Sequence, residues 1–226
     1  MSSDPTSRAA APPRREPRWP IALSLSLGLV LLLFMPARVG LLPAWALYAG
    51  GAAVLAPLAA TALWPHNAAW LAIERTVILA FVAVAGCGNL AVLGKLIEDI
   101  VRGLHVLSGL QLLSSSIAVW ATNLLMFSLL YWQLDRGGPA ARAAHQTRRP
   151  DWIFPWDQAP EGALPAGWRP QFVDYLFLGF STATAFSAAD ALPLTARAKL
   201  AMMAESTVSL AILVVVAARA INVLGA

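Results

Sequence analysis

The sequence predicts an all-α, polytopic transmembrane bundle of about six helices. Three observations predict it. Of the 226 residues, 58% are hydrophobic and only 12% are charged, against about 45–50% and about 25% in a soluble domain, and the mean hydropathy is +0.65. The apolar residues fall in runs of about 18–30, the length a helix needs to cross a hydrocarbon core of about 30 Å. Most of the charges lie between the runs, where the chain leaves a membrane. A soluble globule is excluded by these figures, and disorder is confined to the N-terminal tail.

Residues 1–18 are polar, with Pro5, Pro12, Pro13 and Pro17 and four Arg. They hold too little apolar surface to fold and are expected to be a disordered tail. The first apolar run goes from Trp19 to about Ala37. A basic segment before an apolar run also describes a signal peptide, but no small-x-small cleavage site follows it, so an uncleaved span is expected. The second run, Leu41 to Leu63, tolerates Pro43 in its first turn and should kink at Pro57. The third, Ala68 to about Leu96, is interrupted by Gly86, Cys87, Gly88 and Asn89, small residues that let another helix approach closely. The lone Cys87 cannot form a disulfide within the chain and reads as a small buried residue. The fourth run, Leu104 to about Gln133, carries Ser114, Ser115, Ser116 and Asn123, which can bond across helices. Trp19, Trp64, Trp70 and Trp132 stand at run ends, as an interfacial belt would have them.

Residues 134–170 are the one long polar stretch after the tail. Five Arg and six Pro lie there, around Pro150-Asp151-Trp152-Ile153-Phe154-Pro155-Trp156. Aromatics in so proline-rich a loop are expected against the headgroups or as a cap on the bundle. The chain ends in a helical pair, 171–226. Phe172 to about Leu192 either spans or re-enters. Its 21 residues would measure about 31 Å as a helix, enough to cross, and six spans are therefore expected. Pro193 follows, and a long helix begins near Thr195. The chain thus divides into a tail (1–18), a four-helix region (19–133), a loop (134–170) and a C-terminal pair (171–226).

The net charge is +4, and fourteen of the sixteen bases are Arg. They do not gather on a soluble face, so nucleic acid is not an expected partner. Four Arg in the tail and five in the loop face Arg38, Lys95 and Arg102 on the other side. By the excess of bases inside, tail and loop are cytoplasmic, and with six spans both ends of the chain are cytoplasmic. The Ala- and Arg-rich composition with two Lys accords with a high-GC bacterial genome, hence an inner-membrane, multi-pass location.

The stretch Phe180-Ser181-Thr182-Ala183-Thr184-Ala185-Phe186-Ser187-Ala188-Ala189-Asp190-Ala191-Leu192-Pro193-Leu194-Thr195 weakly resembles the pore-helix, filter and inner-helix module of two-helix potassium channels. Thr182 and Thr184 match the filter threonines, Phe186 the aromatic, Asp190 the acid, and Pro193 and Thr195 the pair before the inner helix. The pattern departs at both filter glycines, replaced by Ala185 and Ser187, where glycine reaches positive φ cheaply and lets carbonyls point at the ion. Asp190 is displaced by two residues, and the preceding loop is on the wrong side. A potassium-selective filter is therefore not expected. The same stretch, with the closing long helix, resembles a family of uncharacterised bacterial multi-pass inner-membrane proteins. That resemblance implies a shared fold and no known activity.

Glu205 lies about ten residues into the last helix. A carboxylate at that depth should be paired, protonated or facing a wet cavity. Ser206 and Ser209 make its face polar, so it is expected to face the bundle interior. Asp174 and Asp190, at the ends of the fifth run, read as interfacial, as do Glu74-Arg75 and Lys95, Glu98 and Asp99. Phosphate-loop, zinc-protease and serine-hydrolase signatures are absent, and His66, His105 and His145 form no ligand set in sequence. No catalytic residue, cofactor or metal is expected. The expected role is a channel- or transporter-like one for an ion or small solute, carried by Thr182, Thr184, Phe186, Asp190 and Glu205. The alternative is a non-catalytic structural or partner-binding membrane protein that docks through the aromatic loop. The lipid bilayer is the expected partner, with a homo-oligomer open.

Overall fold

The computed structural model describes residues 17–33, 44–64, 68–102, 109–143, 148–158, 169–184 and 191–224. The fold is all-α. Its helices are α1 (Trp19–Leu33), α2 (Ala44–Leu63), α3 (Ala68–Val101), α4 (Gly109–Leu134), the one-turn α5 (Pro139–Ala143), α6 (Phe172–Ala183) and α7 (Ala196–Leu224). Two short strands, β1 (Trp152–Ile153) and β2 (Leu192–Pro193), pair antiparallel. Within α3, α4 and α7 lie apolar stretches long enough to cross a membrane, Ala69–Val101, Leu110–Arg142 (which runs on through α5) and Ala196–Ala217. The described apolar stretches of α1, α2 and α6 are shorter.

α4 is the axis of the bundle and packs on α1, α3, α6 and α7. Its sequence suits the position. It carries no charge from Gly109 to Leu134, and its Ser and Asn side chains are small enough to sit between helices. Around it α3 and α7 present outward Val84, Leu90, Leu210, Leu213 and Val214, the apolar surface that lipid would cover. On α3, Arg75 and Lys95 are twenty residues apart, about 30 Å along the axis, so the uncharged stretch between them matches a hydrocarbon core.

Two hydrophobic clusters mark the two ends of the bundle. At one end Trp132, Phe172, Tyr175, Trp152 and Phe154 interlock, with edge-on pairs between Trp132 and Phe172 (6.1 Å, 86°) and between Phe154 and Tyr175 (5.3 Å, 84°). We call this the capped end. At the far end Val92, Leu93 and Leu96 of α3 meet Leu112 and Val119 of α4 and Ile212 and Val215 of α7. The capped end also holds the starts of α1 and α3, joined by Arg18 and Glu74 at 3.4 Å, and Arg75 donates to the carbonyl of Gly137 just past α4.

The fifth run is not a 21-residue helix. α6 is only twelve residues long, about 18 Å. It starts at the capped end, where Tyr175 donates to Asp135 at 2.7 Å. By Leu192 the chain is back at that end, because β2 pairs with β1 and Leu194 N–H donates to the Asp151 carbonyl at 2.8 Å. The segment therefore enters and returns rather than spans. The physical reason lies in its composition: Ser, Thr and Ala in its second half leave little apolar surface for lipid, whereas the loop offers β2 a backbone partner. As a consequence α7 starts at the capped end and runs toward the far end, so the close of α7 lies opposite the start of α1. The expectation of both ends on one side is corrected.

Three further expectations change, those for Trp132, Glu74 and Cys87. Trp132 is not interfacial: it is fully buried in the core. Glu74 is not a surface charge but is buried beside Arg18. Asp174 serves α6 as an N-terminal cap, its Oδ2 accepting the Gln171 N–H at 2.7 Å, where a negative charge also suits the helix dipole. Cys87 is exposed rather than buried. α2 runs unbroken through Pro57.

Candidate functional site

The candidate site lies where α4, α6 and α7 meet. Glu205, nine residues past the start of α7, lies about 14 Å along the helix axis from that start, a distance near half the thickness of a hydrocarbon core. It is fully buried. Helical periodicity puts Ser209 on the same face one turn later, and that face turns to α4. There Tyr131 donates its hydroxyl to Glu205 Oε2. Asn123, about two turns before Tyr131, donates to Ser209 Oγ at 3.1 Å and reaches the Glu205 carbonyl at 3.4 Å. Thr182 of α6 lies within hydrogen-bonding reach of the Tyr131 hydroxyl. Glu205 Oε1 has no hydrogen-bond partner among the described residues, and no ion pair reaches the carboxyl group there.

Gly179 makes this meeting of helices possible. A Cβ at that position would collide with Ser128 Oγ and would stand 3.4 Å from both Glu205 Oε1 and the Leu124 carbonyl. α6 can therefore lie this close to α4 only because residue 179 has no side chain. Ser128 donates to that same Leu124 carbonyl at 2.7 Å. Three oxygens thus gather around the glycine on the side that faces the carboxyl group.

Of the residues named from sequence, the structure brings Thr182 and Glu205 together. Thr182 is buried, bonds back to Leu178 O at 2.8 Å, and its own carbonyl accepts from Ser206 at 3.4 Å. Thr184 closes α6, donating to Phe180 O at 2.7 Å, and is half-buried. Phe186 and Asp190 lie outside the described residues. Asn123, read from sequence as an interhelical bonding group, is one. Tyr131, Ser128 and Gly179 were not legible: each is an ordinary residue of an apolar run, and only the crossing of α6 over α4 gives it a role. The one signal was Tyr131, a polar tip in an otherwise apolar stretch.

A second polar cluster clasps the capped end. Asp135 is fully buried and accepts from Tyr175 and from the Asp151 N–H at 2.8 Å. Arg142 donates to the Trp132 and Asp135 carbonyls at 2.9 Å each and lies over the rings of Trp132 and Tyr175. Arg136, Gly137 and Gly138 all have positive φ, 52°, 84° and 94°, and this left-handed turn brings the loop back onto the bundle. Asp151 then takes a two-pronged bond from Arg197 at 2.6 Å per contact and a third from Thr195 at 2.6 Å. Burial opposes ionisation of Asp151, but these bonds outweigh it and hold its carboxyl below the ordinary value. The loop aromatics Trp152 and Phe154 are buried beneath the clasp, so this part of the loop caps the bundle.

Among the described residues no group of three or more His, Cys, Asp or Glu could hold a metal ion. No protein family, curated protein or solved structure matches the chain.

Proposed function

We propose that this is a channel- or transporter-like protein of the bacterial inner membrane, acting on a cation or a small solute carried with one. The observation that supports the reading is Glu205: a carboxyl group at about half depth, with no cationic partner among the described residues, beside the inner end of a half-length helix. An unpaired carboxylate in a low-dielectric interior is neutralised by a proton or a cation. The inward end of α6 is a helix C-terminus, whose free carbonyls carry partial negative charge and also favour a cation. Half-helices that stop near the midplane beside an ionisable residue are the form in which transporters build ion sites.

The orientation proposed is with the capped end cytoplasmic. Its support is the charge balance: re-entry of the fifth run adds Arg197 and Lys199 to the nine Arg of tail and loop, against Arg38, Lys95, Arg102 and Arg219. The partner-binding alternative calls for the loop aromatics at the surface, and the burial of Trp152 and Phe154 favours the first reading.

The test is flux in proteoliposomes, with monovalent cations and a pH-sensitive dye inside. Flux that Glu205→Gln abolishes supports the proposal. Flux equal in wild type and variant, or no flux for any cation or proton, rejects it.

A further inference from the structure

The two oxygens of the buried Glu205 carboxyl group differ in their surroundings. Oε2 accepts from the Tyr131 hydroxyl. Oε1 has no hydrogen-bond partner among the described residues. It shares its place with two other oxygens, Ser128 Oγ and the Leu124 carbonyl. All three stand within 3.4 Å of the position a Cβ on Gly179 would take. Neither neighbour offers Oε1 a hydrogen. The carbonyl can only accept, and the Ser128 hydroxyl already donates its hydrogen to that carbonyl at 2.7 Å, which leaves the lone pairs of Oγ free. An ionised Oε1 would thus be an acceptor among acceptors, buried with nothing to offset its desolvation. A proton on Oε1 makes it a donor, with Ser128 Oγ as the acceptor.

A metal cation is a worse match. A hard cation takes about six oxygens turned toward it. Here the Leu124 carbonyl is already engaged, the Thr182 hydroxyl turns back to Leu178 O at 2.8 Å, and the Asn123 amide directs its hydrogens at Ser209 Oγ and the Glu205 carbonyl. α6 closes the remaining side so tightly that one methyl group on Gly179 would strike Ser128 Oγ. A proton needs one acceptor and no shell. No charged neighbour among the described residues holds the carboxylate ionised either. Of the helices packed on α7, α4 presents Tyr131, and Asp135 just past α4 is taken by Tyr175 and the Asp151 N–H. On α6, Asp174 lies eight residues before Thr182, and the charges of α3 stand at Glu74 and Arg75 toward one end and from Lys95 onward toward the other. On α7 itself Arg197 is bound to Asp151 and Lys199 is exposed. We propose that the ion this site takes is a proton, bound on Oε1 of Glu205 and directed at Ser128 Oγ; its passage across the membrane rests on the transport function proposed above. Binding turns the carboxylate into the neutral acid and release reverses it, with no other bond made or broken.

The experiment records infrared absorption of the full chain in liposomes at neutral pH, where ordinary carboxyl groups are ionised. The difference between wild type and Glu205→Gln should contain the C=O stretch of an un-ionised carboxyl group, and neither NaCl nor KCl should diminish it. Ser128→Ala keeps the carboxyl group and removes its acceptor, so it should move that stretch to higher wavenumber. In the same liposomes a pH-sensitive dye should report proton flux, while uptake of radioactive sodium or rubidium stays at background. Absence of the stretch, or its loss on adding either salt, overturns the proposal. An unmoved stretch in Ser128→Ala overturns the placement of the proton on Oε1. Sodium or rubidium uptake that depends on Glu205, without the stretch, overturns the proton and leaves the transport function standing. The stretch without any flux does the reverse: the proton site stands and the transport function falls.

Discussion

Tyr131 on α4 donates its hydroxyl to Oε2 of Glu205 on α7, across 74 residues of sequence. Both side chains are fully buried, so the bond ties the central helix to the last one inside the bundle. Oε2 is satisfied by this single donor, and Oε1 faces the glycine of α6. The bond therefore leaves Oε1 as the carboxyl oxygen without a hydrogen-bond partner among the described residues.

Tyr131→Phe removes the donor and keeps the ring. It should destabilise the bundle by about 1–3 kcal/mol, the cost of an orphaned buried acceptor, read as a lowered Tm. Glu205→Gln keeps the shape and should fold. Glu205→Leu should fold as well, because it removes a buried polar group, yet it should lose flux. If Glu205→Leu retains both stability and flux, the residue has no role in either.

Gly179→Ala should push α6 away from α4. Overpacking of this kind costs about 1–3 kcal/mol. Ser128→Ala removes the oxygen the new methyl would strike, so the double variant should recover most of the loss. A double-mutant cycle on Tm measures the coupling; simple additivity would mean that the two positions do not meet.

The Asp151–Arg197 clasp makes stability depend on acidity. Because the Asp151 carboxyl is held below its ordinary value of 3.8, the folded state gains from its ionised form. That gain is fully present above the ordinary value and disappears as pH falls through the lowered folded value. Acid unfolding should thus begin below about pH 4, and Arg197→Gln should move its onset upward. At neutral pH the same substitution should cost about 1.5–3 kcal/mol, as for a hydrogen bond to a charged group. An unaltered acid transition in Arg197→Gln would show that other carboxyl groups control it.

Re-entry of the fifth run can be tested by labelling. With Cys87 replaced by Ser, single cysteines at Arg149 and Lys199 should react from the same side of the membrane, and one at Glu98 from the other. A six-span arrangement would put Lys199 with Glu98. Reaction of Arg149→Cys from outside intact cells would reverse the proposed orientation and leave the re-entry itself intact.

Sequence alone determined that this chain is a helical membrane protein and where most of its helices lie. Length and apolar content suffice for that, since a stretch such as Thr76–Gly94 must hydrogen-bond its own backbone once water is gone. It also determined that Glu205 faces inward, because the cost of a carboxyl group against lipid does not depend on what the helix packs on. The tertiary structure alone decided the rest. Phe172–Leu192 has the length of a span, yet whether it crosses depends on the pairing of Leu192 and Ile153, a long-range backbone contact with no local signature. Trp132 has the composition of an interfacial residue, yet Phe172 and Arg142 bury it. Tyr131, Ser128 and Gly179 became a site only when α6 was laid across α4, because hydrogen bonds and steric clashes act within a few ångströms and the sequence separates those residues by up to 51 positions.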